Sequence, residues 1–109
     1  MHPLETDCQT VKQRLDNGDD FLFIDCREQQ EYDHVRIDGA KLIPMSEIPD
    51  RVSELETHRD GDIVIHCHHG GRSLNVANWL KNNGFKNPLS MAGGIDQWAQ
   101  EIDTSLARY

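Results

Sequence analysis

A chain of 109 residues, 37% of them hydrophobic, can bury one core but is too short for two. A formal net charge of −8 argues against a surface built for nucleic acid or anionic lipid, and no apolar run approaches a membrane span. Met1-His2-Pro3 and the acidic residues after it lack the form of a secretory signal, so a soluble, cytoplasmic protein is expected. The three cysteines, Cys8, Cys26 and Cys67, are odd in number and lack paired metal spacing, which argues against a disulfide framework.

In chain order, Thr6-Asp7-Cys8-Gln9 fits a capping box, and Val11 and Leu15 continue at helical spacing, predicting a helix to Asp16 that carries Cys8 without chemistry. Asn17 to Asp20 is a turn. Phe21 to Ile24 is a continuous apolar run of strand length, the pattern of a strand buried on both faces of a parallel sheet. Asp25-Cys26-Arg27 closes it, and the acidic stretch Glu28 to Asp33 fits a short helix. Asp25 and Arg27 are placed either to act at the carboxyl edge of the sheet or to pin a loop as an ion pair. Cys26 fits a resolving thiol for Cys67 or a small buried residue at a strand end.

Lys41 to Ile43 reads as a short strand stopped by Pro44, and Ser46 as the cap of a helical stretch reaching Leu55. Gly61-Asp62 turns the chain into a strand from Ile63 to His66. A helix opening near Arg72 or Ser73 carries Val76, Ala77 and Leu80 on one face, with Trp79 in a packing role, and stops at Asn83-Gly84. A strand over Pro88 to Met91 leads to Gly93-Gly94, and Ile95, Trp98 and Ile102 mark a last helix. Residues 1–103 form the predicted single domain, and residues 104–109 a loosely held tail. Alternating strand and helix signals imply an α/β domain around a mostly parallel sheet.

The chemistry centres on Ile63 to Ser73, where a strand delivers Cys67 into His68-His69-Gly70-Gly71-Arg72-Ser73. Gly70 and Gly71 permit a loop that turns its N–H groups inward, and the following helix adds the positive end of its dipole. Both features lower a thiol's pKa, so Cys67 is the candidate nucleophile. Such a cradle holds a thiolate, a persulfide, a sulfonate-like oxyanion or a phosphate. From Ile63 to Ile95 there is no Asp or Glu, giving this segment +3 and the remainder −11, an arrangement suited to a small anion.

Three stretches resemble single-domain rhodaneses, the sulfurtransferase family: Phe23 to Glu28 with Glu31-Tyr32 and His34 to Ala40, the loop from His66 to Ser73, and Ala92 to Trp98. Departures are Cys26 where valine is common, Asp33 in place of glycine, and Arg36-Ile37-Asp38 before Gly39-Ala40. The resemblance implies a rhodanese-like α/β fold, a small mostly parallel sheet with helices on both faces. It also implies that Cys67 takes a sulfane sulfur from a donor such as thiosulfate and passes it to a thiol, a protein acceptor or cyanide, in two half-reactions and with no cofactor. The backbone amides of His68 to Ser73 would then form the cradle. Arg72 would bind the donor or order the loop, and His68 and His69 would steer the anion, more weakly as pH rises, or be solvated loop residues.

Three rivals remain. Phosphotyrosine-type phosphatases have five residues between Cys and Arg, and this chain has four, His68 to Gly71. A metal site at His66-Cys67-His68-His69 is disfavoured because adjacent residues seldom converge on one ion, and His66 and Cys67 point to opposite strand faces. The third is a non-catalytic binding module, or a carrier dedicated to one partner.

Overall fold

A computed structural model describes residues 1–109. Five strands, β1 (Glu5–Thr6), β2 (Leu22–Asp25), β3 (Lys41–Leu42), β4 (Asp62–His66) and β5 (Asn87–Met91), form one sheet in the order β1-β5-β4-β2-β3. Every pairing is parallel, so the mostly parallel expectation is met in full. Of four helices, α1 (Cys8–Asn17), α2 (Gln29–His34) and α3 (Gly71–Asn82) lie between successive strands, and α4 (Gly94–Glu101) follows β5. No helix is long and apolar enough to cross a membrane.

Strand alternation divides the core into two layers. Ile24, Cys26, Ile63, Ile65 and Cys67 face one layer with Val76, Ala77 and Leu80 of α3, whereas Phe23 and Val64 face the other with Val11 of α1 and Ile95 and Trp98 of α4. The central strands β2 and β4 are therefore apolar on both sides, as their continuous runs require.

Local structure departs from the sequence reading in several places. The N-cap of α1 is Asp7, whose carboxylate accepts from Thr10 N at 2.8 Å; Thr6 instead pairs with Met91 as part of β1. That two-residue strand is too short to leave a periodic signal. The stretch assigned to a Ser46-capped helix is two 3-10 segments, Met45–Glu47 and Val52–His58, with Pro44 before the first. The tail is not loose: Leu106 packs beside the layer containing Trp98, and Arg108 Nε donates to Asp96 Oδ1 at 3.0 Å.

The turn after β2 is pinned by a buried ion pair. Asp25 and Arg27 are both fully buried, and Arg27 Nη2 and Nε donate to the Asp25 carboxylate at 2.7 and 2.9 Å. The remaining guanidinium hydrogens go to Val35 O (2.7 Å), Glu31 O (3.4 Å) and the Tyr109 hydroxyl (2.9 Å), so the cation is satisfied where water cannot reach it. Of the two roles open to this pair, the geometry shows the pinning one. Removing one partner leaves a buried charge alone, so Arg27→Ala should lower stability by about 3–5 kcal/mol in urea titrations.

Candidate active site

Open parallel sheets place their sites beyond the carboxyl ends of the strands, where successive connections leave in opposite directions. Here that point lies between β2 and β4, since the chain leaves β2 toward β3 at one edge and β4 toward β5 on the other side. Cys67 is the first residue past β4 and Cys26 the first past β2.

The loop from Cys67 to Gly70 is shaped from below by α4. Ile95 N donates to Cys67 O at 2.9 Å and Asp96 N to His68 O at 3.1 Å, so the loop's carbonyls are turned outward onto the first amides of that helix. Gly94 (φ +59°) makes the approach possible, because a Cβ there would overlap both carbonyls. Gly70 (φ +110°) reverses the chain, and a Cβ on it would crowd Gly93 N at 3.3 Å. With its carbonyls tied down, the loop directs N–H groups inward: Gly70 N lies 3.1 Å and Ser73 N 3.4 Å from Cys67 Sγ. The predicted cradle of six amides is thus a cradle of two around the sulfur, and α3 begins at Gly71, before the expected Arg72 or Ser73.

Hydroxyls complete the surroundings. Ser73 Oγ lies 3.4 Å from Cys67 Sγ and 2.7 Å from Ser90 Oγ. Ser73 Oγ also lies 3.2 Å from Gly70 O, so when Ser90 donates to Ser73 the Ser73 proton is shared between that carbonyl and the sulfur. The neighbouring Cys26 thiol, the Ser73 hydroxyl and the Ser73 and Gly70 amides bring the Cys67 thiol down to about 4 against the opposing cost of burial. Cys26 moves the other way: its contact with Cys67 and its own burial hold its proton firmly in place. The contacts thus favour the ionised form of Cys67 and the protonated form of Cys26.

The mouth of the site is framed by paired charges. Arg72 Nη1 and Nη2 donate to the two oxygens of Glu31 at 2.7 and 2.9 Å, and that guanidinium holds the Glu31 carboxyl down at about 2. Of the roles considered for Arg72, ordering the loop is the one this geometry displays. Tyr109 closes the frame: its hydroxyl donates to Glu31 Oε2 at 2.6 Å, and its ring stacks on His68 with centroids 3.8 Å apart and planes 4° from parallel. His68 lies between Tyr109 and His69, with its Nε2 buried and unpartnered, while His69 is largely exposed and approaches Asp96 at 3.9 Å. His66, on the opposite face from Cys67, packs on Phe23 and touches Asp25 at 3.7 Å; burial holds its imidazole below the usual pKa and therefore neutral.

The structure brings Cys67, His68, His69, Gly70, Gly71, Arg72 and Ser73 into one loop and helix start, and sets Asp25 and Arg27 behind it as a support. Sequence reasoning missed four contributors. Glu31 and Gly94 lay within the quoted motifs, but nothing local shows what they touch. Ser90 gives no signal inside an apolar strand, and Tyr109 lies in a segment whose composition reads as a tail.

The chain matches the family model for the rhodanese-like domain over residues 7–101. It is 36% identical over 96 residues to a sulfurtransferase of Allochromatium vinosum, covering 88% of each chain. It is 35% identical over 95 residues to the chloroplastic rhodanese-like/PpiC domain-containing protein 12 of Arabidopsis thaliana, covering 84% of this chain but spanning only 31% of that protein. Among solved structures, SSP1007 of Staphylococcus saprophyticus superimposes with a TM-score of 0.80 at 29% identity, over 95% of this chain and 98% of that one.

Two measurements follow from this geometry. The alkylation rate of Cys67 by iodoacetamide should stay flat from neutral pH down to about 5 and then fall with a midpoint near 4, because only the thiolate reacts; Ser73→Ala should move that midpoint upward. Tyr109→Ala removes the ring over His68 and the hydroxyl between Arg27 and Glu31, and should speed the same alkylation several-fold.

Proposed function

Since the chain belongs to the rhodanese-like family of sulfurtransferases, we propose that it carries a sulfane sulfur from a small anionic donor such as thiosulfate, through a persulfide on Cys67, to a thiol, protein or cyanide acceptor. The observation that carries this reading is a buried sulfur held as a thiolate by two amides and a hydroxyl, with no other nucleophile beside it in ionised form.

In the first half-reaction Cys67 Sγ attacks the outer sulfur of thiosulfate. The donor's S–S bond breaks, sulfite departs with the electron pair, and the negative charge moves to the outer sulfur of the new persulfide. Inward N–H groups stabilise an anion at either atom, so the loop serves thiolate and persulfide alike. In the second half-reaction cyanide or an acceptor thiolate takes that outer sulfur and the Cys67 thiolate returns. Separate half-reactions give ping-pong kinetics, and the persulfide itself carries the sulfur, so no cofactor is required.

Charge near the mouth supports an anionic donor. Glu31 is neutralised by Arg72 and Asp96 by Arg108, which leaves neither carboxylate free to repel it. The same pairing weighs against a phosphatase, because the guanidinium that a phosphate ester would need is already bonded to Glu31.

Mass spectrometry after thiosulfate treatment tests the reading. Wild type should gain one sulfur atom on the Cys67 peptide, lose it to cyanide with release of thiocyanate, and release no phenol from an aryl phosphate. Cys67→Ala should gain nothing. A wild-type protein that takes up no sulfur from thiosulfate or a polysulfide would leave a non-catalytic binding module as the better account.

A further inference from the structure

The transfer cycle makes no use of Cys26, yet this residue stands directly beside the sulfur that does the chemistry. Asp25 of β2 and His66 of β4 are partners in the parallel register, and Cys26 N donates to His66 O at 3.0 Å, so the pairing continues past the strand ends. The next residues along, Cys26 and Cys67, therefore face each other across the gap. Neighbouring strands lie about 4.7–4.9 Å apart, within the Cα separation of about 4.4–6.8 Å that a disulfide spans. Both side chains project into the same core layer with Ile24 and Ile65, and both residues are at most 1% exposed. Cys8, the remaining thiol, lies in the opposite layer against the carbonyls of Ala92 and Gly94 and is out of reach.

We propose that Cys26 is a resolving thiol that displaces the outer sulfur of the Cys67 persulfide as hydrogen sulfide and closes a Cys26–Cys67 disulfide. This inference rests on the persulfide cycle proposed above. Cys26 Sγ bonds to Cys67 Sγ as the bond between Cys67 Sγ and the outer sulfur breaks. The outer sulfur leaves with that electron pair and takes the Cys26 proton, so persulfide anion and thiol become disulfide and hydrosulfide. Atoms and charge balance with no external oxidant.

Loading with sulfur is what makes the step possible. In the resting site the charge on Cys67 Sγ faces Cys26 and keeps it protonated and inert. Once sulfur is loaded, that same Sγ becomes a neutral divalent sulfur, the charge has moved one atom outward, and Cys26 lies next to an electrophile. Prompt transfer to an acceptor competes with closure. Without an acceptor, the protein releases its sulfur as sulfide and stores the oxidation as a disulfide, which a thiol or dithiol reductant must reopen before the next cycle.

The test uses the full chain, reduced, loaded with thiosulfate under anaerobic conditions, freed of excess donor and left without acceptor. Intact mass should first rise by one sulfur atom and then fall to two hydrogens below the reduced protein, with one equivalent of sulfide per chain and a peptide linking Cys26 to Cys67. Cys26→Ala should keep its persulfide and release no sulfide, while Cys8→Ala should behave as wild type. A wild-type persulfide as long-lived as that of Cys26→Ala would overturn the proposal while leaving the transfer cycle intact. A disulfide through Cys8 or between chains would overturn it as well. Failure of wild type to load from thiosulfate or a polysulfide would overturn both.

Discussion

A charged sulfur buried at the end of a strand must be surrounded by hydrogen-bond donors, and a peptide loop can face its donors inward only if its carbonyls find partners outside. In this chain the partners are the first amides of α4, which take the carbonyls of Cys67 and His68. Gly94 is required because two backbones meet where a side chain would stand. The loop after β4 and the glycines after β5, about twenty-five residues apart in the chain, are thus one device. It also couples site to fold, since anything that shifts α4 also shifts the amides that stabilise the thiolate.

Strand alternation allots different work to the two faces of the sheet at its carboxyl edge. On one face Asp25 and His66 meet Arg27 in a buried polar cluster that pins the turn after β2. On the other, Cys26 and Cys67 meet as thiol and thiolate. The two pairs are adjacent along the same two strands, so the ion pair holds the backbone that sets the sulfur-to-sulfur approach. Arg72, Glu31 and Tyr109 then build the rim, each satisfying the next, and the tail is held in place by the same charges that order the loop. An acidic protein can in this way present an approach to Cys67 where the nearby carboxylates are neutralised.

The sequence already carried much of this arrangement. Apolar runs of strand length, helical spacing around Val76, Ala77 and Leu80, and glycines after Cys67 were enough to place the sulfur in a loop between a central strand and a helix. The sharing of that loop between amides and arginine was less legible. Six amides and a free Arg72 were equally compatible with the order of residues, whereas the folded loop leaves two amides on the sulfur and gives Arg72 to Glu31. Thr6 shows the same limit on a smaller scale, because its capping pattern was sound locally and β5 claimed the residue for the sheet.

Local information alone determined the alternation of strands and helices, the two-sided burial of β2, and the placing of Cys67 in a glycine-bearing loop between a strand and a helix. Periodicity, β-branching and glycine placement act over a few neighbours and survive without the rest of the fold. Tertiary structure decided the partners: Cys26 opposite Cys67, Ser90 behind Ser73, Glu31 on Arg72, and Tyr109 on His68. Those pairings join residues 17 to 41 positions apart, and in three of the four the separation is the same 41. They depend on strand register and on the path of each crossover, which are settled only when the whole core closes.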